Sequence, residues 1–175
     1  MSTEHENDIP QDENMSKSVF QTVIESLIAQ SIAHSVMEHE PIYTMQEAQE
    51  VCGNLPEEGV KVLFARAYTS KKAFSHVLIV WTGNKQVDFD QIAQHLVVKR
   101  VKLANPEEVN KQLGVEIGAL SPFGYSGSYP VVLDSDLLNQ NEVYINPGVH
   151  NKTIKMKPDA LHSGIESSAS VVHIL

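Results

Sequence analysis

The sequence predicts an α+β fold: one domain with a mixed, mostly antiparallel sheet, barrel-like at its core, and helices packed around it. Apolar runs suited to strands and amphipathic segments suited to helices are mixed along the 175 residues without strict βαβ alternation. At 42% hydrophobic and 20% charged, the composition is that of a single globular domain. Helix caps and polar turns separate the segments at short intervals.

Residues 1–16 read as a disordered tail, polar and acidic, with Pro10 and no apolar pattern. The first helix is expected from Ser18 to Gln30, with Val19, Val23, Leu27 and Ile28 near one face. Ile32 to Met37 is a short strand. Thr44 with Glu47 three residues on is a capping box. It starts a helix over Met45–Cys52, with Gly53 as the left-handed stop. Val60–Tyr68 and His76–Trp81 are strands joined through the polar T-S-K-K turn as an antiparallel hairpin. Thr82–Gln86 is a second turn. Asp88 caps a helix over Phe89–Leu96, with Ile92, Ala93 and Leu96 inward. Val98–Leu103 is a strand. Asn105, Pro106, Glu108 and Gly114 then mark the cap, first position, third position and stop of another helix. Val115–Leu120 is an apolar strand-like stretch running into a turn. Val131–Leu133, Val143–Ile145 and Thr153–Met156 are short strands. The segment after Pro158 is either a frayed helix or a docked strand.

The chemistry is bounded first by what is missing. The formal charge is −9, and five acidic residues lie in the first 14, leaving about −4 for the remainder. This argues against a broad basic face for nucleic acid and leaves room for a local grip on one or two phosphates. No apolar run is long enough to span a bilayer, and the N-terminus lacks the apolar core of a signal peptide. The single cysteine, Cys52, excludes an internal disulfide and fits a reducing cytoplasm. There is no phosphate-binding loop, no dinucleotide fingerprint and no paired-histidine helix, so neither cofactor nor metal is expected. Cys52 sits at a helix C-terminus, where the dipole raises a thiol pKa, which favours a structural role.

Lys61 stands inside V-K-V-L-F-A. With period two it shares a face with Leu63 and Ala65. There it either meets an anion or guards a strand edge. His39 lies just before the Thr44 cap. Residues 118–124 read G-A-L-S-P-F-G. Gly118 leaves backbone bare, suited to close approach of a ligand or an oxyanion. Ser121–Pro122 starts a turn, Phe123 walls a pocket or anchors the loop in the core, and Gly124 suits positive φ. A second glycine loop, N-P-G-V-H-N over 146–151, carries Gly148 and His150. Each of these has a plain reading as a turn or a cap.

Taken in order, these segments resemble the YbaK/prolyl-tRNA synthetase-associated editing domains, which deacylate mischarged tRNA. The resemblance runs from H-E-P-I-Y-T-M-Q-E-A (39–48) through V-K-V-L-F-A (60–65), HVLIVW and K-R-V-K-L-A-N-P-E-E-V (99–109). It continues through G-A-L-S-P-F-G, Y-P-V-V-L-D (129–134) and N-E-V-Y-I-N-P-G (141–148). It implies an editing domain over 17–160, followed by a tail over 161–175. Lys61 then carries over as the functional lysine and Gly118 as the loop glycine that positions water or the scissile carbonyl. His39, Thr44, Ser121, Pro122, Phe123, Gly148, His150 and Thr153 become candidate substrate contacts. Ala119 and Thr153 depart from residues common in the family, glycine and, in bacterial Cys-tRNA(Pro) deacylases, aspartate. The implied substrate is the acceptor end of a mischarged tRNA carrying a small amino acid such as Ala, Cys or Ser. An aminoacyl-tRNA synthetase is an implied partner. A non-catalytic module that binds a nucleotide or acceptor end, and a small-ester hydrolase unrelated to tRNA, stand as alternatives.

Overall fold

The computed structural model describes residues 18–125 and 127–175; the acidic tail expected over 1–16 lies outside the described residues. Ser18 caps α1 (Val19–Ala29). Its hydroxyl accepts from the Gln21 N–H, and the Gln21 side chain accepts from the Ser18 N–H. Val23 and Leu27 are fully buried, but Ile28 is 65% exposed. The apolar stripe is therefore narrower than expected, because Ile28 lies about 100° around the helix from Leu27.

After β1 (His34–Glu38), the Thr44 hydroxyl accepts from the Glu47 N–H and starts α2 (Met45–Cys52), which Gly53 ends at φ +69°. The strands β2 (Val60–Tyr68) and β3 (Phe74–Thr82) form the expected hairpin. Asp88 caps α3 (Phe89–His95), and β4 (Arg100–Leu103) follows. Asn105 accepts from the Glu108 N–H at the start of α4 (Pro106–Leu113), and Gly114 closes it at φ +70°. Then come β5 (Pro130–Leu133), β6 (Val143–Ile145), β7 (Lys152–Met156), α5 (Pro158–Glu166) and β8 (Val171–Ile174).

Two sheets result, a five-stranded one in the order β4-β2-β3-β5-β8 and a three-stranded one in the order β1-β7-β6. The pairs β3–β5 and β5–β8 are parallel and the rest antiparallel. Alternate residues of β3 enter two cores. Leu78 and Val80 pack with α1, α4 and α5, whereas Val77, Ile79 and Trp81 pack with α3. Burial on both faces explains why HVLIVW is an unbroken apolar run. The fold is α+β as expected, but among the described residues the sheets do not close into a barrel; only a Gly59–Tyr144 bridge joins them. The reason lies at β4, which pairs only with Ala65–Tyr68 of β2. Its last bond runs from the Ala104 N–H to the Phe64 carbonyl, and the Asn105–Pro106 cap then turns the chain away. The first half of β2 is left without β4, and the functional cavity opens there.

Two other expectations change. Residues 115–120 form an irregular loop, not a strand. The Ala119 N–H returns to the Glu116 carbonyl, and Gly118 takes φ +89°, outside strand geometry. The segment after Pro158 contains both of the alternatives in succession. Leu161 and Ile165 of α5 are fully buried, and β8 extends the large sheet beside β5.

Gly124 has the positive φ expected of it, +95°, and a Cβ there would lie 2.4 Å from Val23 Cγ2. Gly124→Ala is expected to destabilise the protein by about 1–3 kcal/mol from overpacking alone, with the cost of positive φ added. Urea denaturation checks it, and an unchanged midpoint would show that α1 can shift freely.

Candidate functional site

A cavity of about 280 Å³ lies between α2, the uncovered half of β2, the 115–120 loop and the β6–β7 end of the small sheet. Met45, Ala48 and Cys52 line it at helical spacing, so α2 turns one face inward. Val60, Val62 and Phe64 give it an apolar wall. Tyr43 (66% exposed), Leu103 (54%) and Ile117 (53%) mark the rim, whereas Val60 (6%) and Ile145 (1%) mark the floor.

Lys61 and Gly118, 57 residues apart in sequence, both line this cavity. Lys61 is paired in register with Trp81 across the hairpin, and its Nζ donates to the Lys85 carbonyl at 2.6 Å. Burial lowers its pKa from the usual lysine value, because a desolvated ammonium is disfavoured. Lys152, the other lysine of the lining, donates to Glu38 Oε1 at 2.5 Å and lies over the Phe20 ring. Among the described residues no carboxylate pairs with Lys61. Its Nζ thus rests on Lys85, a residue outside the cavity lining, without an ion-pair partner among the described residues.

Gly118 is required by its backbone: φ is +89°, while a Cβ there would make only ordinary contact with His150 Cε1, at 3.5 Å. Its carbonyl accepts from Asn146 Nδ2 at 3.3 Å, and Asn146 Oδ1 accepts from the Gly148 and Val149 N–H groups. Asn146 thus ties the two glycine loops together, a role that its place in N-P-G does not announce. The His150 ring lies tilted against Tyr43, with ring centroids 4.5 Å apart. Its Nδ1 lies 3.1 Å from the Ile42 carbonyl and its Nε2 3.2 Å from Glu116.

His39 and Thr153 also meet at the cavity. His39 Nδ1 lies 2.8 Å from the Glu40 carbonyl, which can only accept, so this nitrogen carries the proton. In the neutral ring Nε2 then accepts from the Thr153 hydroxyl, also at 2.8 Å. Thr44 lines the cavity too, but its hydroxyl is committed to the helix cap.

Four of the candidate contacts lie elsewhere. Ser121 is fully buried. Its N–H donates to the Tyr125 hydroxyl at 2.7 Å, and that hydroxyl donates to the Ser121 carbonyl at 2.8 Å. Pro122 is buried in the same turn. Phe123, 1% exposed, belongs to the large core and presses on α5 at Gly164. Gly148, at φ +96°, turns against Val19, 2.8 Å from where its Cβ would be. None of the four lines the cavity, because S-P-F-G folds inward once Gly118 has turned the chain. Asn54, which lines the floor, has no signal in the sequence, because an asparagine after a helix-stop glycine reads as a turn.

A small, largely apolar cavity with Lys61 and Gly118 among its lining residues can serve ester hydrolysis by orientation and electrostatics. The particular family follows from comparison with known proteins. Residues 39–163 match the family model described as Aminoacyl-tRNA editing domain, and the chain belongs to that family. The Prolyl-tRNA editing protein ProX of Acetoanaerobium sticklandii is 25% identical over 154 residues, 86% of this chain and 92% of that protein. The Multifunctional Ser/Thr-tRNA deacylase ProXp-y of Escherichia coli is 28% identical over 138 residues, 78% of this chain and 82% of that protein. A crystal structure described as a candidate trans-editing enzyme for prolyl tRNA synthetase shares the fold, with a TM-score of 0.75 and 24% identity over 91% of this chain and 98% of that one.

Proposed function

We propose that this chain is a trans-editing deacylase that hydrolyses the ester between a small, wrongly attached amino acid and the 3′-terminal ribose of tRNA(Pro) or a related tRNA. The observation that carries the reading is that Lys61 and Gly118 both line one small cavity in a chain of the editing family. An aminoacyl ester is intrinsically easier to hydrolyse than an amide, so orientation and charge stabilisation can suffice.

In this reading Lys61 polarises the ester region or holds the terminal phosphate as a point charge in a partly dry pocket. Among the described residues the Gly118 N–H donates to no acceptor, which leaves it available to the oxyanion that forms when water, or a nucleophile on the substrate itself, attacks. The cavity, about 280 Å³, has room for a small acyl group, and in this reading the shape of its lining rather than its volume sets the sieve. The formal charge of −9 fits contact with the acceptor end alone, with a synthetase as the partner that presents the tRNA.

The test is purified protein incubated with tRNA(Pro) carrying Ala, Cys, Ser, Thr or Pro, with ester loss followed over time. Deacylation of one or more of the small wrong acyl groups, with Pro-tRNA(Pro) spared, is the expected result. Binding without ester loss would replace the reading with a non-catalytic module. Turnover of model esters without preference for tRNA would make it a general esterase.

A further inference from the structure

The basic residues of this acidic chain are not spread evenly. Five of the 13, Lys71, Lys72, Lys99, Arg100 and Lys102, gather at the β4 side of the five-stranded sheet. Lys71 and Lys72 stand in the turn between β2 and β3. Lys99 leads into the edge strand at the foot of that turn, where its N–H donates to the Tyr68 carbonyl at 2.8 Å. Arg100 and Lys102 follow along β4, opposite Tyr68 and Arg66. All five are exposed. Residues 66–75 and 97–104, which carry them, contain no aspartate or glutamate. Among the described residues none of the five forms an ion pair.

Folding does not account for this grouping. Charges on an edge strand guard it against strand addition, but Lys71, Lys72 and Lys99 lie outside β4. Lys102 stands directly opposite Arg66, and like charges across a strand pair are unfavourable. Glu108 answers Arg66 and is engaged by His76 as well, which leaves Lys102 without a partner. Arg100 is held without being neutralised. Its guanidinium carbon lies 4.4 Å over the centroid of the Tyr68 ring. A guanidinium steadied by a ring and free of any carboxylate keeps its planar fork of donors for an incoming anion. The strip also leads to the cavity. Leu103, the residue after Lys102, stands at the exposed rim. At about 3.3 Å per strand residue, Arg100 lies roughly 10 Å from that rim.

We infer that β4 and the β2–β3 turn form a docking surface for the phosphate backbone of the tRNA acceptor stem, with Arg100 as its anchor. This deepens the deacylase reading and rests on it. Phosphates repeat along a nucleic-acid strand, and cations repeat along β4 at every second residue, about 6.6 Å apart. An RNA whose 3′ end enters the cavity must bring its stem phosphates past the rim, which is where the strip ends. The rest of the chain is acidic, so the grip is local.

The experiment measures binding of uncharged tRNA(Pro) over a series of salt concentrations. It uses the wild type, Arg100→Gln and the double variant Lys71→Gln/Lys72→Gln. Lys157→Gln, a charge loss just beyond β7, is the control. Arg100→Gln is expected to weaken binding about tenfold, and each lost phosphate contact to lower the slope of log Kd against log salt by about one. On mischarged tRNA, kcat/KM should fall by the same factor through KM, with kcat unchanged. The aminoacyl ester of adenosine alone, which has no phosphate, should be cleaved at the wild-type rate by every variant. Lys157→Gln should change none of these. No measurable tRNA binding by the wild type at low salt would overturn the inference. So would wild-type affinity and salt slope in both variants, including the case in which they aggregate but their soluble fraction binds normally, as an edge guard would. Weaker binding with unchanged kcat/KM on mischarged tRNA would also overturn it, because the surface would then hold a polyanion unconnected with the substrate. Failure to cleave any ester, with binding still lost in the variants, would instead overturn the deacylase reading and leave the docking surface standing.

Discussion

Phe123→Ala is expected to remove about 3–5 kcal/mol of stability, the largest loss in this protein from any single residue of the loops around the cavity. The ring is 1% exposed and is the largest of the fully buried side chains. On one side it meets α5 so closely that a Cβ on Gly164 would lie 2.8 Å from Phe123 Cε1. Neither partner can move in to fill the gap, because α5 is held by Leu161 and Ile165 and by the β8 strand beyond it. The loss therefore combines the transfer of the ring with a cavity that remains. Domains of this size are stable by only about 5–15 kcal/mol, so the melting temperature should fall by roughly 6–20 °C. Phe123→Leu, which keeps most of the volume, should recover more than half. Kinetics separate this from the alternative of a pocket wall. KM for the folded fraction is expected to stay at the wild-type value, because Phe123 does not line the cavity. A raised KM with little loss of stability would return the residue to the pocket.

The contrast between Phe123 and Gly118, five residues apart, shows what the sequence made legible. Local chemistry was readable. Thr44 with Glu47, Asn105 with Pro106, and the stops at Gly53 and Gly114 all form as their spacing predicts. So did the hairpin of β2 and β3, whose turn and periodicity are properties of adjacent residues. Features that depend on distant partners were not readable in the same way. Phe123 falls away from the cavity because α5 receives it, carrying Ser121 and Pro122 with it, and α5 lies about forty residues downstream in a segment with no decisive pattern. The parallel pairing of β8 with β5 likewise joins segments that nothing local connects. Asn54 marks another limit, because its oxygen is left unsatisfied only when the rest of the fold encloses it. Lys61 was legible because an apolar strand with a lysine in its middle breaks its own pattern.

For Lys61 the expected result is a fall of about 10²–10³ in kcat/KM for deacylation when it is replaced by Ala or Met, the range seen when one preorganised electrostatic contact is removed. Lys152, the cavity's other lysine, has its charge answered by Glu38, so losing Lys61 leaves no free cation to take over. Arginine should restore little, because a planar fork does not replace a compact ammonium held against the Lys85 carbonyl. Stability should move in the opposite direction from activity. Burial lowers the Lys61 pKa, so the folded state disfavours the charged form. Between that lowered value and the ordinary lysine value the unfolded chain binds more protons, and wild-type stability rises with pH across that window. Lys61→Met should abolish this alkaline rise and leave stability at neutral pH unchanged or higher. The pairing of the two measurements is diagnostic. A strand-edge guard would lose solubility and keep its activity, whereas a functional cation would lose activity and keep its fold. Undiminished ester cleavage by Lys61→Met across the mischarged tRNA panel would remove the lysine from the mechanism.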